Sequence, residues 1–113
     1  MEKKVIAQYQ EYLEERFTKR MLFKEADHAV FVLNFGPGHT LPEHKHPGSI
    51  VYITVLEGSG VMTVAGEPHS VEKGDLLHIS GEDTFAYAGS SNEKSSLLVT
   101  LLQPPSEAYT QNV

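Results

Sequence analysis

From residue 49 to residue 102, short apolar stretches alternate with turn residues at nearly regular spacing. VYITV and LLVTLL are two such stretches, and Gly, Pro, Asp and Ser fill the intervals between them. These residues supply the backbone conformations and local hydrogen bonds that tight turns need. Many short strands divided by turns predict an antiparallel sandwich or barrel. We therefore expect an all-β fold.

The same pattern gives an outline of the whole chain. Val5, Tyr9 and Leu13 have the spacing of one helix face, which predicts a helix over residues 4–16. Gly36-Pro37-Gly38 predicts a break in regular structure over 36–44. The polar tail, 104–113, follows Pro104 and is expected to fray. The predicted strands are 20–24, 29–35, 49–56, 61–65, 70–72, 76–79, 84–88 and 96–102.

Composition limits the class of protein. The 113 residues fit one domain, 1–113, with a core over about 20–102. The chain has no cysteine, which excludes disulfides and thiolate metal sites. A formal net charge of -6 argues against nucleic acid as a partner. No apolar stretch resembles a signal peptide or could span a bilayer, so we expect a cytoplasmic protein with no membrane partner.

Alternation predicts which residues of the clearest strand face the core. Val51, Ile53 and Val55 make one wholly apolar face, and Tyr52 and Thr54 make a mixed one. Successive side chains of a strand point to opposite faces. The three aliphatic residues are therefore expected to point inward.

The last predicted strand is apolar on both faces. Leu97 and Val99 share one face, and Leu98 and Leu102 share the other. A strand of this kind is normally covered on both sides. The second cover is either the N-terminal helix or another copy of the chain, and we expect a homodimer.

His44 and His46 are the candidate metal ligands. They lie one residue apart, so on a strand they share a face and both imidazoles can point at one spot. Imidazole suits Zn, Ni, Mn and Fe. Two ligands make an incomplete set, because metal sites normally have three or four from the protein. The alternative is a polar lining hydrogen-bonded to water.

The spacing of glycines and histidines resembles the two sequence motifs of a family. In the first motif Gly38 precedes His44 and His46, and Gly58 closes it; in the second, Gly74-Asp75 precedes Gly81 and a strand from Thr84. This arrangement resembles a small single-domain cupin, of the cupin 2 conserved-barrel type. The resemblance implies a double-stranded β-helix, or jelly roll, preceded by the short N-terminal helix. The family includes dioxygenases, isomerases, epimerases and decarboxylases, and a fold does not choose between them.

The resemblance also implies which ligands are missing. Cupins usually add a glutamate and a further histidine to the pair in the first motif. Here Val51 stands at the glutamate position and Phe85 at the histidine position. Four residues remain open as substitutes. Glu82 and Asp83 precede Phe85 in a turn, His39 lies on the approach to the motif, and alternation turns His78 outward.

The two apolar replacements predict a drier pocket. Such a pocket lined by Val51 and Phe85, with two convergent polar groups, suits a small organic ligand. Burial also lowers histidine pKa values, which favours neutral imidazole. Tyr87 shares a face with Phe85. Its hydroxyl either lines the pocket or is hydrogen-bonded to water while the aromatic ring packs in the core.

Three hypotheses for function follow. The first is a cupin that binds a divalent metal through His44 and His46, with water in the other positions, and that could be a small-molecule enzyme. The second is a metal-free cupin that binds a small carbohydrate-like or organic ligand as a sensor or binding module. The third is a structural or partner-binding cupin, with the pocket plugged by Phe85 and other side chains.

Overall fold

The computed structural model describes residues 1–103 and folds them into two packed antiparallel sheets. This confirms the all-β prediction. The strands are β1 (Thr18–Glu25), β2 (His28–Phe35), β3 (Thr40–His44), β4 (Ile50–Glu57), β5 (Ser59–Val64), β6 (Glu67–Glu72), β7 (Leu76–Ser80), β8 (Phe85–Gly89) and β9 (Ser95–Leu102).

The order of strands is that of a jelly roll. One sheet has the order β1-β2-β9-β4-β7 and the other β3-β8-β5-β6, so the chain repeatedly crosses from sheet to sheet. The core lies between their inner faces. Val51, Ile53 and Val55 are 0%, 1% and 1% exposed, which confirms the predicted alternation in β4.

The N-terminal segment covers part of the outer face of the five-stranded sheet, but not as a helix. The helix predicted over 4–16 is wrong, because only Ile6–Tyr9 form a single 3-10 turn. Contacts with the sheet replace intrahelical hydrogen bonds. Asn34 Nδ2 donates to the Tyr9 carbonyl at 2.8 Å, and the Tyr12 hydroxyl lies 2.5 Å from Ser96 Oγ. Tertiary hydrogen bonds thus override a weak helical periodicity.

The break predicted over 36–44 is also wrong in part, because it contains strand β3. This short strand pairs with β8, with Leu41 opposite Tyr87 and His44 opposite Phe85. Its register is irregular between Leu41 and His44. Pro42 is compatible with this position, because β3 is an edge strand with one side free of ladder hydrogen bonds.

Both faces of β9 are partly covered, as its sequence predicts. Leu97 and Val99 are buried in the core, and Leu98 is half-buried on the outer face. Leu102 is exposed and lies at the opposite end of β9 from Ser96, the residue that Tyr12 contacts. In residues 1–103, no helix has the length and apolar character needed to cross a membrane. The tail predicted to fray, 104–113, lies outside the described residues.

Candidate functional site

A pocket of ≈ 240 Å³ lies between the β1-β2-β9 half of one sheet and the β3-β8 half of the other. Its described lining is mainly aromatic and aliphatic, with two imidazoles and one ammonium group. It contains no carboxylate. The lining residues are Phe17, Lys19, Phe31, Leu33, Leu41, His44, His46, Phe85 and Val99.

His44 ends β3 with its ring held in one orientation. Its Nδ1 lies 2.9 Å from the carbonyl oxygen of Pro42, which can only accept, so Nδ1 carries the hydrogen. In the neutral ring this leaves Nε2 with a free lone pair. A backbone carbonyl commonly fixes a metal-binding histidine in this way. The centroid of the ring lies 4.4 Å from that of Phe85.

His46 lies in the loop after β3, so the prediction that the two histidines share a strand face is wrong. The loop is fixed by backbone hydrogen bonds instead. His46 N–H donates to the Gly81 carbonyl at 3.0 Å, and Gly81 N–H donates to the Ser49 carbonyl at 2.9 Å. A Cβ on Gly81 would lie 2.1 Å from the carbonyl oxygen of His46. Gly81, in the second motif, therefore allows the loop to place His46.

The two imidazoles nevertheless come together. Their ring centroids are 5.0 Å apart and their planes are nearly perpendicular, at 88°. The separation and the angle are those of an edge-to-face contact, which brings both rings to one wall of the pocket.

The electrostatic environment favours a neutral His46. Burial is the largest effect lowering its pKa, followed by the nearby His44 and Lys19. A lowered pKa keeps the ring uncharged near neutral pH, which is the form that binds metals. The Lys19 ammonium lies 4.4 Å from the centroid of the Phe31 ring.

The two carboxylates considered as further ligands, Glu82 and Asp83, are exposed and do not line the pocket. Glu82 accepts a hydrogen bond from Gly48 N–H at 2.8 Å and is exposed. Asp83 is also exposed and does not line the pocket.

The two further histidines are likewise placed elsewhere. His39 Nδ1 accepts from Gly36 N–H at 3.0 Å, and its Nε2 lies 2.9 Å from the Glu14 carbonyl. The ring therefore links the Glu14 carbonyl of the N-terminal segment to the backbone of Gly36. His78 is exposed and stacks on Tyr52, with centroids 5.0 Å apart. Across residues 1–103, no cluster of three or more His, Cys, Asp or Glu could hold a metal.

Of the three residues expected to line the pocket, Phe85 does so and the other two do not. Val51 is wholly buried in the core, paired with Ile79 and Leu101. Tyr87 is buried and does not belong to the lining of the pocket. Its hydroxyl lies 3.1 Å from the Ser59 carbonyl and 2.8 Å from Ser95 Oγ, so its hydrogen-bond partners are protein groups.

Sequence reasoning missed the opposite wall of the pocket. Phe17 and Lys19 come from β1 and the residue just before it, and Phe31 comes from β2. The available signal was alternation, since residues 17, 19 and 21 share a face. It was missed because the predicted strand began at Arg20.

A wider groove of ≈ 640 Å³ runs along β5, β6 and β8. Small residues line most of it, with Glu72 and Asp75, and no histidine belongs to its described lining. By volume alone, this groove would be a stronger candidate for a ligand site than the histidine pocket. The convergent imidazoles distinguish the smaller pocket as the candidate site.

The fold and the site define a jelly-roll barrel with an imidazole pair in a pocket between its two sheets. The Cupin domain family model matches residues 31–101, which is more than half of the chain. The chain belongs to the cupin family.

Solved structures agree with the fold. A protein from Thermus thermophilus is similar with a TM-score of 0.85 and 24% identity, covering 93% of this chain and 100% of that one. A cupin 2 conserved barrel domain protein from Leptotrichia buccalis is 28% identical, with a TM-score of 0.77, over 86% of this chain and 46% of that one.

A relative with an assigned activity matches in part. Dimethylsulfoniopropionate lyase DddW of Ruegeria pomeroyi is 41% identical over 56 residues. The match covers 50% of this chain and 36% of the lyase, so the chain spans little more than a third of that protein.

Proposed function

We propose that this cupin binds a divalent metal through Nε2 of His44 and a ring nitrogen of His46. The observation that carries the proposal is the pair itself. The rings are 5.0 Å apart, and the Pro42 carbonyl fixes the tautomer that leaves His44 Nε2 free. A bound metal would act as a Lewis acid towards an oxygen of a small ligand.

The metals best suited to this pair are Zn, Ni, Mn and Fe. Imidazole binds all of them, and nitrogen sites generally hold Ni²⁺ and Zn²⁺ more tightly than Mn²⁺. The remaining coordination positions are left to water or to the ligand. Affinity is therefore expected to be modest and to fall as acid protonates the imidazoles.

The size of the pocket supports a small-molecule ligand. Its ≈ 240 Å³ lies below the roughly 300–1,000 Å³ of sites for drug-sized ligands. The Ruegeria relative is a lyase named for a small organic substrate, which supports a ligand of similar size here. We include in this proposal that the metal-bound protein could act as an enzyme on a small molecule held in this pocket.

A second candidate function is metal-free binding of a small organic ligand. The observation that favours it is the apolar lining, in which Phe17, Phe31 and Phe85 surround the imidazoles. With no third ligand among residues 1–103, the two rings could instead hydrogen-bond directly to the ligand.

Calorimetric titration of untagged protein with Zn²⁺, Ni²⁺ and Mn²⁺ tests the metal proposal. The double variant His44→Ala/His46→Ala should lose binding. The double variant His69→Ala/His78→Ala removes the same number of imidazoles from exposed positions and should bind like the wild type. Equal binding by the wild type and the His44/His46 variant would reject the metal site and favour the second candidate.

We also propose that two copies of the chain pair through the uncovered outer face of β4, β7 and β9. Ile50, Tyr52, Leu76 and Leu102 are exposed there, Leu76 at 69%. The hydrogen bonds from the N-terminal segment to this sheet reach Asn34 of β2 and Ser96 of β9, and these four residues remain exposed in the described part of the chain. A specific dimer would bury at least about 1,000 Å² in total.

Sedimentation velocity at several concentrations tests the dimer. Tyr52→Glu should shift the protein to monomer, because it buries a charge in the proposed interface. Val61→Glu places the same charge at an exposed apolar residue of the other sheet and should leave the dimer intact. A wild type that sediments only as a monomer at high concentration would contradict the proposal.

A further inference from the structure

Lys19 is a charged residue on the inner side of an edge strand. It pairs across the sheet with Leu33, which is buried in the core, and it lines the histidine pocket. Its ammonium lies 4.4 Å from the centroid of Phe31. Lys19 is itself exposed, so it contributes an ammonium at the solvent-facing rim of the pocket rather than a buried charge.

The lining of the pocket contains one ammonium group, that of Lys19, although the protein is acidic. The chain has a formal net charge of -6, yet no carboxylate belongs to the described lining of the pocket. The Lys and Arg ion pairs among residues 1–103 join Arg20 to Glu11 and Lys73 to Glu57, and Lys19 is in neither of them. A cation at the wall of an apolar cleft attracts small anions.

The rest of the lining fits an apolar group. Phe17, Phe31 and Phe85 face the space beside the imidazoles. The ligand that matches these walls has one negative charge and a compact apolar body. Phosphate fits less well, because it is usually bound by several backbone N–H groups or by arginine, whereas a single lysine suits a monoanion.

We propose that the pocket binds a small organic monocarboxylate, with its carboxylate beside Lys19 and its apolar part against the phenylalanines. This inference rests on the same pocket as the proposed function but not on a bound metal. A carboxylate oxygen could also occupy a free coordination position of a metal held by His44 and His46.

Another role for Lys19 is structural. Inward-pointing charges on edge strands discourage pairing with other chains, and an ammonium over an aromatic ring gains a cation–π contact. These roles need the charge but no ligand. They predict that loss of the charge changes aggregation or stability and leaves the binding of small anions unchanged.

Titrations with benzoate and its neutral analogue benzamide separate the two roles. Binding is followed by calorimetry and by amide chemical-shift changes, first in metal-free protein and then with Zn²⁺. Benzoate should bind and shift the amides of residues 44–46 and 85, whereas benzamide should bind at least about tenfold more weakly. Higher ionic strength should weaken benzoate binding, because salt screens the ammonium.

The variants Lys19→Met and Lys19→Gln remove the charge and keep much of the length of the side chain. Each should weaken benzoate binding about tenfold or more and leave benzamide unaffected. Lys24→Met removes the same charge from an exposed position of the same strand, outside this pocket, and should bind benzoate like the wild type.

Four results would overturn the inference: no benzoate binding, equal affinity for benzoate and benzamide, equal benzoate binding by the wild type and both Lys19 variants, or inorganic phosphate binding as tightly as benzoate. Its failure is distinguishable from that of the metal proposal. Benzoate binding without Zn²⁺ binding supports this inference alone, and Zn²⁺ binding without benzoate binding supports the metal site alone.

Discussion

The inner face of β8 carries two buried aromatic residues, and the polar groups beside them differ. At Tyr87 the hydroxyl lies within hydrogen-bonding distance of the Ser59 carbonyl and Ser95 Oγ, so its capacity is used within the protein. At Phe85 the neighbouring His44 uses only Nδ1 internally. The polar groups around Tyr87, here called the closed end, stabilise the barrel. The free nitrogen of His44 beside Phe85, here called the open end, is available to a ligand.

The largest effect is expected from a carboxylate introduced into the core at Val51, which lies outside the described lining of the pocket. Val51→Glu restores the residue that cupins usually have at this position, but Val51 is fully buried. Without metal the variant should lose about 3 kcal/mol or more of stability, because a buried carboxylate lacks a partner. Zn²⁺ should recover part of that loss and bind more tightly than to the wild type.

Urea denaturation with and without Zn²⁺ measures this effect, and Val51→Gln is the matched control. The glutamine is similar in size but cannot supply a charged ligand. It should lose stability without a comparable recovery on addition of Zn²⁺. An identical response of the two variants to Zn²⁺ would show that position 51 cannot reach the metal.

At the closed end, Tyr87→Phe should cost about 1–3 kcal/mol. The substitution removes the hydroxyl and leaves the buried Ser95 Oγ and Ser59 carbonyl without this partner. The affinities for Zn²⁺ and benzoate should not change, because Tyr87 does not line the pocket. Chemical denaturation and calorimetry give the two readouts. A loss of binding with no loss of stability would reverse the assignment of the two ends.

At the open end, His44→Ala/His46→Ala should change stability by less than about 1 kcal/mol. Both rings are half-exposed and neither fills the core, so little packing is lost. This is the reverse of the Tyr87→Phe result, with binding abolished and folding retained. A thermal unfolding scan in chelator measures it, and a loss as large as that of Tyr87→Phe would show that the histidines are structural.

The smallest effect is a pH dependence from His46. Its pKa is lowered below the ordinary value of 6.5, so the unfolded chain takes up a proton more readily than the folded one. Its contribution to stability is therefore constant above about pH 7. It declines as the pH falls through 6.5 and levels off below the lowered pKa of the folded state.

Urea denaturation of the wild type and His46→Gln between pH 5 and pH 8 isolates this contribution, since glutamine does not titrate in that range. The variant should lose less stability on acidification. His69→Gln, at an exposed position, should follow the wild type. Parallel curves for the wild type and His46→Gln would show that His46 is not held in its neutral form by folding.

Much of the fold followed from local pattern. The alternation of Val51, Ile53 and Val55 predicted their burial correctly, because a strand with one apolar face has only one favourable orientation against a core. Strand β3 was missed, since Gly36, Pro37 and Pro42 argue against a strand locally while pairing with β8 stabilises one. The helix over 4–16 failed for the same reason, as its residues bond to the sheet rather than to one another.

For the site, the sequence determined the chemical groups: two imidazoles one residue apart, and apolar residues where two further ligands are usual in the family. Only the tertiary structure decided which groups surround them. It brings Phe17, Lys19 and Phe31 against His44 and His46, places Tyr87 at the other end, and commits both nitrogens of His39 to backbone partners. Spacing along the chain fixes only which residues share a face of one strand. The composition of a pocket between two sheets depends instead on long-range pairing and on which polar atoms find partners inside the fold.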